Sequence, residues 1–267
     1  MRAFKVPFFI ITAIVLLIIV ANHFLDGRFW NGWQIEPSIF EGCFCEHNYM
    51  ERFIRQPMNT WSNVAFLFSG VIILYQTANR THENNNYLKR QKIISIGYGI
   101  LLCILFCGSF LFHASLTTFF GITDMIGTYG IPLFIAMIAI SRILVYKNIL
   151  TEKHAAIACI IITYMIGFAL AVHWIIFINM IITFAGLLLL AAATSFYLLT
   201  RKDLKFNKRL FYGNTIMLLL ACLLWIIDHN NIICDPDSVI QGHSFWHVLN
   251  GIVAYYMFQL FYTEQTT

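Results

Sequence analysis

An all-α, polytopic helical bundle embedded in a membrane is the fold class this sequence predicts, on three observations. Only 11% of its residues are charged and 59% are hydrophobic, whereas an ordinary soluble domain is about 25% charged. The apolar residues fall into eight separate runs, each near the length of about 20 residues that a helix needs to cross a bilayer. The basic residues collect in alternate loops between those runs.

The first run, residues 6–23, follows Arg2 and Lys5, as either a membrane helix or a signal sequence would. No small-residue cleavage site stands around Ala21-Asn22-His23, so a retained helix is expected. Further spans are read at 60–78, 93–117, 122–141, 155–173, 175–199, 210–227 and 243–262. Only Val172-His173-Trp174 separates the fifth span from the sixth. Because each of the two is long enough to cross alone, a very short turn is expected there.

Eight crossings sort the loops into two sets. The N-terminus, the loops at 79–92, 142–154 and 200–209 and the C-terminal tail hold every basic residue except Arg28, Arg52 and Arg55. The positive-inside rule places that set, and with it both termini, in the cytoplasm. The net charge of +4 is therefore a topology signal. No nucleic-acid motif, low-complexity linker or fixed-period repeat accompanies it, and no protein partner is evident from the sequence.

Counting crossings also gathers chemistry. His113 closes the third span, Asp124 opens the fourth, and His243 and His247 open the last, so all four lie at the extracytoplasmic end. Residues four apart on a helix share a face, which lets His243 and His247 reach one point. Ionisable groups inside spans are costly and usually face the protein interior or a cavity. A single membrane histidine is as well explained by hydrogen-bonded packing; three at one depth beside an aspartate point to a metal. Three nitrogen ligands and one open position suit catalytic Zn²⁺.

Ser109, one turn before His113, shares its face. Its ordinary role would be a bond back to the Leu105 carbonyl, and that of Asp124 to orient a histidine ligand. Beside zinc both have further work available. Zinc brings the pKa of bound water down to about 7. Asp124 could then take the water proton and deliver it to a leaving amine, and Ser109 could donate to the oxyanion. The reaction class is amide or ester hydrolysis. His47 and His229 fall on the same side without a helical partner. Haem ligation is a weaker alternative, since haem favours two opposed histidines.

Several stretches, in order, resemble the alkaline ceramidases, seven-helix membrane amidases of a superfamily that includes the progestin and adipoQ receptors. They are Cys45-Glu46-His47-Asn48-Tyr49, Asn59-Thr60-Trp61-Ser62-Asn63, Gly108-Ser109-Phe110-Leu111-Phe112-His113 with Asp124, Leu224-Trp225-Ile226-Ile227-Asp228 with Cys234, and His243-Ser244-Phe245-Trp246-His247. The resemblance implies Zn²⁺ on His113, His243 and His247, with Ser109 and Asp124 as catalytic partners. It implies hydrolysis of ceramide, or a related N-acyl membrane lipid, to a fatty acid and a sphingoid base. It also implies a Cys45–Cys234 disulfide, which an oxidising compartment permits. The seven family helices would be the second to eighth spans. Residues 1–40 are then an added helix and linker, and 41–267 the seven-helix domain. A receptor or sensor of the wider superfamily, using zinc structurally, is the alternative; the retained Ser109 and Asp124 speak against it. A short, loop-poor chain with a signal-like start reads as a bacterial inner-membrane member.

One departure concerns calcium, which some family members bind before the first shared helix. Glu46 and Asn48 match that site, but Cys43 stands where an aspartate belongs and Gln56-Pro57 where a glutamate belongs. Losing two carboxylates removes most of the charge that a hard cation needs. Glu46 and Asn48 are the remaining Ca²⁺ candidates, with capping or loop hydrogen bonding the more ordinary role.

Overall fold

The computed structural model describes residues 5–79, 86–174 and 179–266. Its helices are α1 (Lys5–Phe24), α2 (Pro57–Ser62), α3 (Val64–Ala78), α4 (Tyr87–Arg90), α5 (Lys92–Ser115), α6 (Thr118–Tyr146), α7 (Glu152–Trp174), α8 (Met180–Leu199), α9 (Lys208–His229) and α10 (Gly242–Tyr262). Strand pairing among the described residues is confined to β1 (Leu204–Lys205) against β2 (Gln265–Thr266) and two isolated bridges. Backbone groups in a bilayer must be satisfied within the protein, which leaves helices as the spanning elements of such a chain.

Among the described residues, seven helices are long and apolar enough to cross a membrane, with α2 and α3 together forming one, Pro57–Ala78. α10 is as long but more polar, since it carries His243, His247, Asn250 and Gln259. The chain is a multi-pass membrane protein with an all-α bundle. Several spans differ from the sequence expectation. The second is broken at Asn63, the residue between α2 and α3. α6 runs for 29 residues, about 43 Å at 1.5 Å per residue, so Asp124 sits in its second turn rather than at its start. Val172-His173-Trp174 does not interrupt α7 but forms its last turn. The short turn expected before α8 lies outside the described residues, which leave off at 174 and resume at 179.

Packing runs from α3 through α5 and α6 to α7, with α8 also on α6, while α10 packs on α9 and α3. Tyr98 on α5 is fully buried, donates to the Ala254 carbonyl at 3.0 Å and stacks on Phe258, which ties α5 to α10. Ser69 on α3 donates to the Gly251 carbonyl of α10 at 2.8 Å. Each bond satisfies a polar group that lipid could not. Leu116 holds the left-handed conformation, φ 55°, in the two-residue turn between α5 and α6. That turn folds α6 straight back along α5.

The two ends of the bundle differ in chemistry. At one, Arg142 and Glu264 form a buried ion pair at 2.7 Å, Arg90 pairs with Glu152, and β1 clasps the C-terminal β2. At the other lie the first turns of α2, α6 and α10 and the last turns of α5 and α9. Residues 43–56 cross this second end.

Candidate metal centre and its cavity

The start of α10 is held by Asp228, near the end of α9. Its Oδ2 accepts from the His243 backbone N–H at 3.0 Å, and its Oδ1 accepts from the Cys45 N–H at 3.2 Å. Gly242 permits this approach, because a Cβ there would stand 2.7 Å from the Leu224 carbonyl oxygen. Cys45 and Cys234 are joined in a disulfide, and the His47 N–H donates to the Pro236 carbonyl. The crossing segment is thus fastened to the 230–241 loop.

Beneath it His113, His243 and His247 converge. Their rings lie 5.0, 5.0 and 4.5 Å apart between centroids, and one nitrogen from each falls within 4.8 Å of the others. All three are buried, and Phe44 covers His113 and His243. His113 Nδ1 faces Gln56 Oε1 at 2.7 Å. A carbonyl oxygen only accepts, so Nδ1 carries the proton and Nε2 presents a lone pair. His247 Nδ1 lies 2.8 Å from Ser62 Oγ, whose own proton goes to the Asn59 carbonyl. Nδ1 therefore donates here too; the approach of Asn63 Nδ2, at 3.4 Å, is the longer contact.

His113 Nε2 and His243 Nδ1 are buried without a partner. Orphaned buried nitrogens are costly, and these belong to a set of three that can hold a metal ion. The residues fit such an ion on their own geometry.

Ser109 and Asp124 face the same place. Gly108 lets α5 and α6 touch, since a Cβ there would stand 2.6 Å from the Asp124 backbone nitrogen. Ser109 stands beside the Asp124 carboxylate, which Thr128 Oγ1 approaches at 3.4 Å. Ser109, Asp124, His243 and His247 line one cavity of about 360 Å³, whose other walls are mostly apolar residues of α6, α8 and α9. It continues past Phe66, Leu105, Phe184 and Trp246 into an apolar cleft of about 110 Å³. α8 packs on α6 and α9 on α10, with little contact between α8 and α9 themselves. Residues of both helices, including the exposed Ile181 and Ile226, line the cavity.

A family model described as Ceramidase matches residues 41–266. The chain belongs to the ceramidase family. No curated protein matches it.

In this ceramidase-family chain the other sequence candidates lie as follows. Glu46 accepts from the backbone N–H groups of Met58 and Asn59 at 2.6 and 2.8 Å, in the first turn of α2. Burial pushes its carboxyl up to about 7, against the pull of those two bonds. Asn48 Oδ1 accepts from Gln56 Nε2 at 2.7 Å. Both candidates for calcium are thus engaged with the protein itself. His229 lines the cavity, stacks on Trp225 and contacts the Cys43 carbonyl; His47 is exposed against Tyr49. Sequence reasoning gave no role to Gln56, Ser62 or Asp228, the partners that orient the cluster. Ser62 and Asp228 lie within matched stretches and Gln56 stands just before one, which is the signal they carry.

Proposed function

We propose that this chain is an intramembrane zinc amidase that hydrolyses ceramide, or a closely related N-acyl lipid, to a fatty acid and a sphingoid base. The observation that carries it is Ser109 and Asp124 on the same cavity as His243 and His247, with His113 behind them, the ring nitrogens of His113 and His243 being buried without a partner. His113, His243 and His247 would hold the ion, which supplies Lewis acidity toward a carbonyl and toward water. Asp124 takes the proton from the attacking water and returns it to the departing amine. Once Asp124 holds that proton it can donate to Ser109 Oγ, which leaves the single Ser109 O–H to donate to the carbonyl oxygen as charge develops there. The apolar cleft past Trp246 takes an acyl chain, and the α8–α9 seam admits it from the bilayer.

The same reading puts the Arg142–Glu264 end, with most of the basic residues, in the cytoplasm, and the metal end outside. Both termini are then cytoplasmic, and a bacterial inner membrane is the setting. Residues 1–40 form an added helix and linker on the seven-helix domain of 41–267.

Asp124→Asn tests the assignment, since it keeps shape but cannot move a proton. The purified variant should keep its metal and lose about 10²–10⁴-fold in rate. Normal turnover would remove Asp124 from the chemistry.

A further inference from the structure

His113 has no exposed surface and stands behind the cavity that His243 and His247 line. We infer that Gln56 is a positioning residue: its carboxamide, held between Asn48 and His113, sets the tautomer and ring orientation of His113 and so the affinity of the three histidines for a divalent ion. The inference rests on the proposed metal site but is tested by binding rather than by turnover.

Gln56 is itself fully buried. Its backbone N–H donates to the His113 carbonyl at 3.2 Å, and the N–H of Arg55 to the Ala114 carbonyl at 3.1 Å. The Arg55 guanidinium donates to the Ser115 carbonyl. The crossing segment is therefore tied to the same helix end that carries the ligand. Within that frame the carboxamide serves three partners at once. Nε2 donates to Asn48 Oδ1 at 2.7 Å, and Oε1 accepts from Asn59 Nδ2 at 3.3 Å and from His113 Nδ1 at 2.7 Å. Without Oε1, neither ring nitrogen of His113 has a partner, so nothing selects the tautomer that leaves Nε2 free.

The partner's charge gives the inference a sign. A hydrogen-bond acceptor on the far nitrogen makes an imidazole a better donor, more so when it is a carboxylate. Gln56→Leu removes the acceptor, whereas Gln56→Glu strengthens it. A purely structural contribution would make both substitutions harmful.

The experiment is zinc competition against a chromophoric chelator on the detergent-purified full chain, for wild type, Gln56→Leu and Gln56→Glu. Gln56→Leu is expected to hold zinc about 10–100-fold more weakly, and Gln56→Glu at least as tightly as wild type. Wild-type affinity in Gln56→Leu, or equal weakening in both variants, overturns the inference. Should Gln56→Leu not accumulate as folded protein, Gln56→Asn, which draws the amide back by one methylene, replaces it with the same two outcomes. A wild type that takes up no zinc overturns the inference together with the proposed function. Zinc uptake without turnover on ceramide counts against that function alone, and the affinities still decide the role of Gln56.

Discussion

Gly108→Ala should disable hydrolysis without removing the metal. A Cβ at this position would stand 2.6 Å from the Asp124 backbone nitrogen and 2.6 Å from the Thr123 carbonyl carbon. Ordinary contact is about 3.5 Å, so α5 and α6 must part by roughly 0.9 Å. Both obstacles are backbone, so no side-chain rotation relieves the clash. Overpacking of this kind destabilises by about 1–3 kcal/mol, small enough for the bundle to persist. Its local effect is larger, because the displacement separates Ser109 on α5 from Asp124 on α6. A misplacement near 1 Å can cost about 100-fold in rate. The histidines come from α5 and α10, so zinc should stay. The assay is release of sphingoid base from ceramide in mixed micelles, with metal content measured on the same sample. Wild-type turnover in a folded Gly108→Ala protein would refute the reasoning, and so would loss of zinc in step with rate.

Other outcomes follow from neighbouring contacts. Ser109→Ala should retain metal and slow hydrolysis by about 10²–10³-fold, the loss expected for one oxyanion donor; an unchanged kcat would leave Ser109 only a packing role. The Glu46 carboxyl is raised in the folded protein from 4.5 to about 7, so its contribution to stability is complete below about pH 4.5 and is lost as pH rises through 7. Melting curves in detergent between those values should therefore flatten in Glu46→Gln relative to wild type, and an unaltered slope would contradict the burial argument. The disulfide spans 189 residues of sequence, which caps its chain-entropy contribution at about 5 kcal/mol. Cys45→Ser should lower the melting temperature; an unshifted transition would mean that Asp228 and the His47–Pro236 bond hold the crossing segment alone.

What the sequence revealed depended on the range of the signal. His243 and His247 are read from helical spacing, and their meeting with His113 from counting crossings, since Lys and Arg mark alternate loops over the whole length. The all-α bundle is legible for the same reason. Helix ends are less so: α6 overruns its apolar stretch because Thr118-Phe119-Phe120-Gly121 adds a turn beyond it, and α7 absorbs His173 in its last turn, where hydropathy marks a break. The short α2 is invisible to a hydropathy window, yet it brings Ser62 to His247 and Asn59 to Gln56. Gln56, Asn48 and Asp228 act through contacts closed across the bundle, up to 183 positions apart for Asp228 and Cys45, and no local pattern records such a meeting. Gly108 belongs to a matched motif, but its reason, contact with Asp124, exists only once α6 is folded back.

The central claim, a metal held by three histidines that hydrolyses an N-acyl lipid, is tested most directly by two readings on one detergent-purified sample: elemental analysis, and release of sphingoid base from ceramide. About one zinc per chain with released base, both abolished in His243→Ala, is the predicted result. One zinc with no turnover across a panel of N-acyl lipids, or turnover that survives in metal-free His243→Ala, would contradict it.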